Sequence, residues 1–220
     1  DNCTPSGSLI YTQSPIIGTS LPLGLQPITV TVEDASGNTG ICVFNLTVED
    51  QVNPTVTLCA PNQNVIVDNN CEGTIGNYTS LISATDNCSL PGNLIITQSP
   101  INGTVISSDT LVVMTITDEG GNSTSCQFTA LLSDTTQPIV ICPNDFSLAI
   151  NSSCEYTMVD VTSMVNGSDN CSAFADMTIT QSPLVGSTQT GITNVLITLF
   201  DEQGNLSTCT TTISPIDTTS

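Results

Sequence analysis

Residues 111–132 read LVVMTITDEGGNSTSCQFTALL, and this stretch decides the fold. Apolar and polar residues alternate on both sides of residues 118–122, and β-branched residues are frequent, as is typical of strands with one buried face. Between the two runs lie an aspartate that can accept backbone N–H bonds and a glycine that can take a positive φ, which is the chemistry of a tight turn. The stretch therefore predicts two antiparallel strands joined by a short hairpin.

The same hairpin pattern occurs three times along the chain. The signature Asp-x-x-Gly-Asn begins at Asp34, Asp118 and Asp201, and a cysteine follows each copy four residues later. The signatures Asp-Asn-Cys and Thr-Gln-Ser-Pro also occur three times and advance by 85 and then 83 residues, and the Asp-x-x-Gly-Asn signature advances with them by 84 and then 83. Short strands and turns at this spacing predict an all-β fold of tandem immunoglobulin-like β-sandwich repeats that form an elongated rod.

The repeat divides the chain into three parts. We expect residues 1–51 to be the C-terminal part of a first repeat whose N-terminal part is missing, residues 52–136 to be the second repeat, and residues 137–220 to be the third. Residues 217–219 match the Asp-Thr-Thr of residues 134–136, which leads directly into the third repeat. We therefore expect the sequence to be a window from a longer array.

The composition excludes several classes of partner. The chain has no Lys, Arg or His, and its 20 Asp and Glu residues give a formal net charge of −20. Because no basic group can neutralise phosphate, neither nucleic acid nor an anionic membrane surface is an expected partner. The apolar runs are too short for direct insertion into a membrane. Divalent cations are the expected counter-charges.

Ten cysteines in a chain without histidine predict disulfides formed in an oxidising compartment. The close CxxC spacing that would favour zinc is absent. Four cysteines in each complete repeat allow three pairings, and Cys3 could bond Cys42 in the first part only if Cys88–Cys126 were the general pair. The cysteines are Cys3 and Cys42 in the first part, Cys59, Cys71, Cys88 and Cys126 in the second repeat, and Cys142, Cys154, Cys171 and Cys209 in the third.

Three features together resemble the hyalin repeat. They are a Cys-Pro opening at Cys142, a central Asp-Asn-Cys, and a closing Asp-x-x-Gly-Asn followed by Cys-x-Phe at Cys126. The resemblance covers the whole chain at the level of motifs, and the four-cysteine form is similar to that in giant surface proteins of gliding and biofilm-forming Bacteroidota. It implies an immunoglobulin-like fold, repeated in tandem, in an extracellular adhesion protein at the cell surface.

The resemblance also implies a disulfide pairing. Family members with only two cysteines keep those equivalent to Cys59 and Cys126. This implies the pair Cys59–Cys126, with Cys71 bonded to Cys88, and the corresponding pairs in the third repeat.

Six aspartates form candidate metal sites. Asp50 and Asp134 each lie eight residues after a closing cysteine, in the junction between repeats. In an immunoglobulin-like fold, the loop before strand C and the last hairpin lie at the same end as the incoming linker, which would gather three carboxylates. Such a set suits calcium, which would stiffen the junction; the alternative is that the aspartates only cap turns. The two sets are Asp50, Asp86 and Asp118, and Asp134, Asp169 and Asp201.

Glycan acceptors are frequent in the sequence. Ten Asn-x-Ser/Thr sequons occur, and N-linked glycans would indicate a secreted surface. If the chain is from Bacteroidota, as the resemblance implies, the O-glycosylated motif is aspartate, then serine or threonine, then an apolar residue or threonine. Ordinary linker threonines are the alternative. The candidate acceptors are Asn45, Asn77, Asn102, Asn151 and Asn166, with Thr110, Thr135 and Thr218.

These observations predict a structural function. Sandwiches joined by short linkers stack into a stiff rod, and uniform negative charge keeps such rods apart. We expect a disulfide-stapled, glycosylated segment of an extracellular surface filament or adhesin stalk, whose partners are further copies of the repeat and covalent glycans. The alternative is a module whose loops bind carbohydrate or another cell. An enzyme is not expected, since the chain lacks His, Lys and Arg and its carboxylates recur in every repeat.

Overall fold

The computed structural model describes residues 2–218, and almost all of its regular structure is β-strand. The 3-10 helices have three residues each and are Ser6–Ser8, Thr79–Leu81, Pro91–Asn93, Thr162–Met164 and Phe174–Asp176. The strands are β1 (Ile10–Ser14), β2 (Gly24–Glu33), β3 (Thr39–Val48), β4 (Thr55–Leu58), β5 (Gln63–Ile66), β6 (Gly73–Thr74), β7 (Ser83–Thr85), β8 (Ile95–Ser99), β9 (Val105–Ile106), β10 (Thr110–Thr117), β11 (Ser123–Ser133), β12 (Ile139–Ile141), β13 (Phe146–Ala149), β14 (Glu155–Thr157), β15 (Asn166–Ser168), β16 (Thr178–Ser182), β17 (Thr188–Thr190), β18 (Thr193–Phe200) and β19 (Leu206–Ile216).

The chain forms two compact units. The first unit comprises Asp1–Cys59, Thr79–Thr97 and Met114–Cys126, and the second comprises Ala60–Tyr78, Gln98–Val113 and Gln127–Ser220. Within residues 2–218, no helix is both long and apolar enough to cross a lipid bilayer.

The sheets follow the predicted hairpins. The first is β1-β2-β3, and two four-stranded sheets have the orders β5-β11-β10-β8 and β13-β19-β18-β16. In each four-stranded sheet the edge strand β5 or β13 runs parallel to the long strand beside it, while β18 pairs with β19 and β16 in antiparallel register. Two-stranded ladders join β4 to β7, β6 to β9, β12 to β15 and β14 to β17.

The core of the second unit shows the predicted alternation. On β18, Val195, Ile197 and Leu199 are fully buried, whereas the residues between them are not. Val195 and Ile197 share one cluster with Ile213 of β19. The cluster also contains Tyr156, which lies in β14 of a two-stranded ladder, and Met158, which directly follows β14. Apolar side chains from a large sheet therefore pack against those of a smaller layer, which is the β-sandwich arrangement. The immunoglobulin-like, all-β fold is confirmed.

The Asp-x-x-Gly-Asn motif forms the same hairpin turn in each copy. In the third copy, the Asp201 amide donates to Asn205 O over 3.0 Å and the Gly204 amide donates to Asp201 O over 3.3 Å. Gly204 has a φ of +88°, a conformation that residues with a Cβ adopt rarely. The glycine is therefore part of the turn geometry that joins β18 to β19.

The Thr-Gln-Ser-Pro motif supplies a buried glutamine to the sandwich. Gln181 Nε2 donates to the carbonyl oxygens of Val159 and Pro183 over 3.0 and 3.1 Å, and its Oε1 accepts the Val161 amide over 2.9 Å. Gln98 makes the corresponding three bonds in the preceding copy. The glutamine thus ties the irregular segment after β14 to the end of β16, and the Ser-Pro bond beyond it is cis in all three copies.

Replacing Gly167 with alanine should destabilise the second unit by about 2 kcal/mol, within the usual cost of overpacking a core. A Cβ at this position of β15 would lie 2.5 Å from Ile139 O and 2.8 Å from Leu199 Cδ2. Urea unfolding followed by circular dichroism measures the change. In the control Gly92→Ala, the new Cβ would have no neighbour within 4 Å, so the change should stay below about 1 kcal/mol. Equal unfolding midpoints for the two variants would contradict the prediction.

Candidate metal centres

Each compact unit has a cluster of three aspartates. The first carboxylate cluster consists of Asp50, Asp86 and Asp118, and the second consists of Asp134, Asp169 and Asp201. Within each cluster, one carboxylate oxygen from every residue lies within 4.8 Å of the others. The structure therefore brings together the two sets of aspartates that the repeat pattern predicts.

The secondary structure explains why the three side chains meet. In the second cluster, Asp134 directly follows β11, Asp169 directly follows β15, and Asp201 directly follows β18. The first cluster has the same origin, except that Asp50 comes two residues after the end of β3. Each cluster thus combines the segment after a long strand, the Asp-Asn-Cys loop and the hairpin turn.

In the second cluster, backbone amides hold the carboxylates in fixed orientations. Asp169 Oδ2 accepts the amides of Cys171 and Ser172 over 2.9 and 3.0 Å. Asp201 Oδ1 accepts the Asn205 amide over 2.7 Å, and Asp134 Oδ1 accepts the Thr136 amide over 2.9 Å. The turn-capping role considered as the alternative is therefore present, and it leaves one oxygen of Asp134 and one of Asp169 without a partner.

The first cluster has equivalent bonds. Asp86 Oδ2 accepts the amides of Ser89 and Cys88 over 2.8 and 2.9 Å, and these bonds lower the pKa of Asp86. Asp50 Oδ1 accepts the Val52 amide over 3.1 Å. The Cys88 thiol lies beside this cluster, and its pKa is raised by loss of hydration and then by the charges of Asp50 and Asp86.

Two asparagines per cluster were not predicted as site residues. Asn205 Nδ2 donates to Asp201 Oδ2 over 2.7 Å and to the carbonyl oxygen of Asp134 over 3.1 Å, so it ties the hairpin to the segment after β11. Asn170 Nδ2 donates to Asp134 Oδ1 over 3.4 Å. Their equivalents Asn122 and Asn87 do the same in the first cluster. The recurrence of asparagine in both motifs was the signal that could have indicated this role.

One carboxylate oxygen of several cluster residues has no hydrogen-bond partner although it is buried. These atoms are Asp50 Oδ2 and Asp86 Oδ1 in the first cluster, and Asp134 Oδ2 and Asp169 Oδ1 in the second, where Asn170 Oδ1 is also unpartnered. Asp50 and Asp134 are only 9% and 7% exposed. Buried anionic oxygens without a donor are costly, and carboxylates this close repel one another.

A hard divalent cation would satisfy these oxygens. Oxygen ligands lie about 2.3–2.6 Å from calcium, so two of them on one ion are separated by at most about 5 Å. The 4.8 Å limit in each cluster meets this requirement. The donor set of carboxylate oxygens, with carbonyl and amide oxygens nearby, is the type that calcium binds.

The structure contains three disulfides within the described residues. Cys59 is bonded to Cys126 and Cys142 to Cys209, which are the pairs that the resemblance implies across each sandwich. The open alternative Cys88–Cys126 is therefore not formed, nor is a bond between Cys3 and Cys42, since Cys42 is an exposed free thiol.

The third disulfide corrects the implied pairing of the other cysteines. Cys71 is bonded to Cys171 rather than to Cys88, and Cys154 is not bonded to Cys171. The physical reason is proximity: the turn that contains Cys71 lies against the Asp-Asn-Cys loop of the next repeat, where the two Cα atoms are 5.0 Å apart. Counting cysteines within one repeat could not show a bond between two repeats.

The predicted glycan acceptors differ in their surroundings. Asn45, Asn77, Asn102, Asn151 and Asn166 are exposed, as are Thr135 and Thr218. Thr110 is half-buried and its hydroxyl donates to Ser108 O over 2.8 Å. Asn151 Oδ1 already accepts the amides of Ser153 and Glu155 within a turn.

The chain was compared with protein-family models, solved structures and curated proteins. No protein-family model matches the chain. Among solved structures, the chain is similar to protocadherin gamma B2 extracellular cadherin domains 1–5, with a TM-score of 0.41 and 10% identity over 97% of this chain and 54% of that one. It is also similar to mouse cadherin-23 EC22–24, with a TM-score of 0.40 and 13% identity over 96% of this chain and 86% of that one.

A curated relative matches at higher identity. The chain is 31% identical over 235 residues to hyalin of Strongylocentrotus purpuratus, and the match covers 100% of this chain and 18% of that protein. The chain thus spans less than a fifth of the length of the relative. The match along the whole chain supports a hyalin-like domain.

Proposed function

We propose that this chain is a structural segment of an extracellular adhesion-type protein, a stalk or surface filament in which a divalent cation stiffens each junction between consecutive repeats. The observation that carries the proposal is the pair of carboxylate clusters with buried, unpartnered oxygens. Each cluster includes one aspartate from the segment between two repeats, Asp50 or Asp134. A cation held there would bind that segment to two loops of the following repeat.

The charge and covalent chemistry of the chain support a structural role. A net charge of −20 without any basic residue makes neighbouring filaments repel one another. The disulfides Cys59–Cys126 and Cys142–Cys209 cross the sandwiches, and the bond Cys71–Cys171 joins the second repeat to the third. We further propose that the rod consists of repeats 52–136 and 137–220 in series with other copies.

We also propose glycans on the exposed acceptors. Asn45 and Asn102 are exposed sequons whose side chains make no hydrogen bond with the described residues. Thr135 and Thr218 are also exposed, and each directly follows an aspartate. Glycans at such sites would increase the solubility of the rod. An intact mass of the secreted protein equal to that of the bare chain would overturn this part of the proposal.

Replacing Asp134 with asparagine should remove calcium binding at the second cluster and leave the first intact. The substitution preserves the oxygen that accepts the Thr136 amide, while the unpartnered Oδ2 becomes an amide nitrogen that cannot bind a cation. At a calcium concentration about a hundredfold above Kd, each occupied site adds about 2.7 kcal/mol to the free energy of unfolding. Titration calorimetry should show two sites in the parent chain and one in the variant.

The matched control is Asp34→Asn. Asp34 occupies the first position of the Asp-x-x-Gly-Asn turn, as the cluster residues Asp118 and Asp201 do, and it belongs to neither cluster. The control should therefore keep both calcium sites. The absence of any heat with millimolar calcium in the parent chain, or the loss of a site in Asp34→Asn, would contradict the proposed cation sites.

Small-angle scattering tests the proposed rod separately. With calcium present, the chain should scatter as an elongated particle, and chelation of calcium should increase its flexibility. A compact globule, or a flexible string in saturating calcium, would overturn the proposal of a stiff array.

A further inference from the structure

The bond Cys71–Cys171 links two different local structures. Cys71 lies in a turn in which the Asp68 amide donates to Glu72 O over 2.8 Å and the Cys71 amide donates to Asp68 O over 3.0 Å. Cys171 belongs to the Asp-Asn-Cys loop, and Asn170 of this loop donates from Nδ2 to Asp68 O over 3.1 Å. A turn of the second repeat and a loop of the third are therefore joined by a covalent bond and a hydrogen bond.

Cys154 lies in a second copy of the turn. The Asn151 amide donates to Glu155 O over 2.8 Å and the Cys154 amide donates to Asn151 O over 3.0 Å, the same pattern and distances as around Cys71. Cys154 has a φ of 61° and Cys71 a φ of 60°, an uncommon backbone conformation for a residue with a side chain. Cys154 is nevertheless an exposed free thiol, whereas Cys71 is bonded.

Cys88 lies in a second copy of the loop. Its amide donates to Asp86 Oδ2 over 2.9 Å, as the Cys171 amide does to Asp169 Oδ2. Asn87 Nδ2 donates to Cys88 Sγ over 3.0 Å, and Asn170 Nδ2 to Cys171 Sγ over 3.3 Å. Cys88 is also an exposed free thiol. The chain thus has one disulfide between repeats. It also has a second turn with a free cysteine, Cys154, and a second Asp-Asn-Cys loop with a free cysteine, Cys88.

We propose that Cys154 and Cys88 are half-sites for further bridges between repeats. Cys154 bonds the Asp-Asn-Cys loop of a hyalin-like repeat placed after the third one, and Cys88 bonds the turn cysteine of a repeat placed before the second. This inference rests on the proposed function, because it requires repeats in series. In such an array, disulfides between side chains bond each repeat to both of its neighbours, in addition to the peptide backbone.

The bond forms by thiol–disulfide exchange with a small-molecule disulfide such as oxidised glutathione. The Cys154 thiolate attacks one sulfur of that disulfide, forms a mixed disulfide and releases one thiolate. The loop cysteine of the neighbouring repeat then attacks Cys154 Sγ as a thiolate and expels the second. Two protein thiols become one disulfide, and the small-molecule disulfide is reduced to two thiols.

Disulfide mapping of the chain itself tests the basis of the proposal. Cleavage before every aspartate places each of the ten cysteines in a separate peptide, which a trypsin-like protease could not do in a chain without Lys or Arg. Peptide 68–85 should be linked to peptide 169–175, and peptides 86–108 and 145–159 should have alkylated cysteines. Links of 68–85 to 86–108 and of 145–159 to 169–175 would overturn the proposal, because every repeat would then be closed on itself.

An extended chain tests the half-site at Cys154. A second copy of residues 137–220 is added after Ser220; the added copy carries Ala173→Ser, which gives its loop peptide a distinct mass, and Cys154→Ser, which removes its own turn cysteine. After refolding with oxidised glutathione, peptide 145–159 should be linked to the marked peptide 169–175. The link should persist in Cys42→Ser, the matched removal of another exposed free thiol, and it should be lost in Cys154→Ser. An alkylated Cys154 in the folded, oxidised extended chain would overturn the inference.

The outcomes separate this inference from the proposed function. Two calcium sites and elongated scattering, together with an unbonded Cys154 in the extended chain, would overturn the half-sites and leave the cation-stiffened stalk. A bonded Cys154 in an extended chain that binds no calcium would overturn the cation-stiffened stalk and leave the covalent bridge.

Discussion

Replacing Cys142 and Cys209 together with alanine should lower the free energy of unfolding of the second unit by about 4 kcal/mol, the chain-entropy value for a loop of this size. The two cysteines are separated by 67 residues, so their bond greatly restricts the unfolded chain. Both cysteines also pack against the buried core cluster of this unit. Denaturation in urea, monitored by circular dichroism without reductant, measures the change.

The control for this double variant is Cys42→Ala. Cys42 holds the position of Cys209 in the first copy of the repeat, and its thiol is exposed and free. Its replacement should change the stability by less than about 0.5 kcal/mol, as is usual for exposed positions. A loss below about 1 kcal/mol in the double variant, well short of a typical bridge, would show that the bond does not stabilise the unit.

Replacing Gln181 with leucine should destabilise the second unit by about 3 kcal/mol, because each buried polar group left without a partner costs about 1–3 kcal/mol. The substitution removes the acceptor for the Val161 amide and both donors to the carbonyl oxygens of Val159 and Pro183. Leucine has nearly the same size, so the loss comes mainly from the unpaired backbone groups. Unfolding in urea and amide exchange at Val161 measure it.

The same motif provides the control. Gln13 of the first Thr-Gln-Ser-Pro copy is exposed, and among the described contacts its side chain donates only to Pro15 O over 3.0 Å. Gln13→Leu should therefore cost less than about 1 kcal/mol, the net value of one such bond. Equal losses for Gln13→Leu and Gln181→Leu would mean that the buried bonds are not the cause.

Much of the fold could be predicted from local patterns. The alternation in residues 111–117 predicts a half-buried strand, and Val112, Met114 and Ile116 of β10 are indeed fully buried. The aspartate and glycine of each Asp-x-x-Gly-Asn motif form the predicted turn. Both features depend on the backbone preferences of a few neighbouring residues, and such preferences act in the same way wherever the chain places them.

The composition of the carboxylate clusters could also be predicted, but their chemistry could not. The repeat and the immunoglobulin-like topology are enough to bring Asp134 together with Asp169 and Asp201. Which oxygens are already bonded depends on the positions of the surrounding amides and of Asn170 and Asn205. Only the folded chain shows that Asp134 Oδ2 is buried and unpartnered.

The amino-acid order alone determined that the motifs recur three times and where the strands and turns of each copy lie. Tertiary structure decided that Gln181 bonds three backbone groups and that Cys71 bonds Cys171 instead of Cys88. The physical reason is that a strand or turn depends on neighbours a few residues away. A disulfide depends on which two surfaces meet in space, and here those surfaces belong to different repeats, 100 residues apart in the chain.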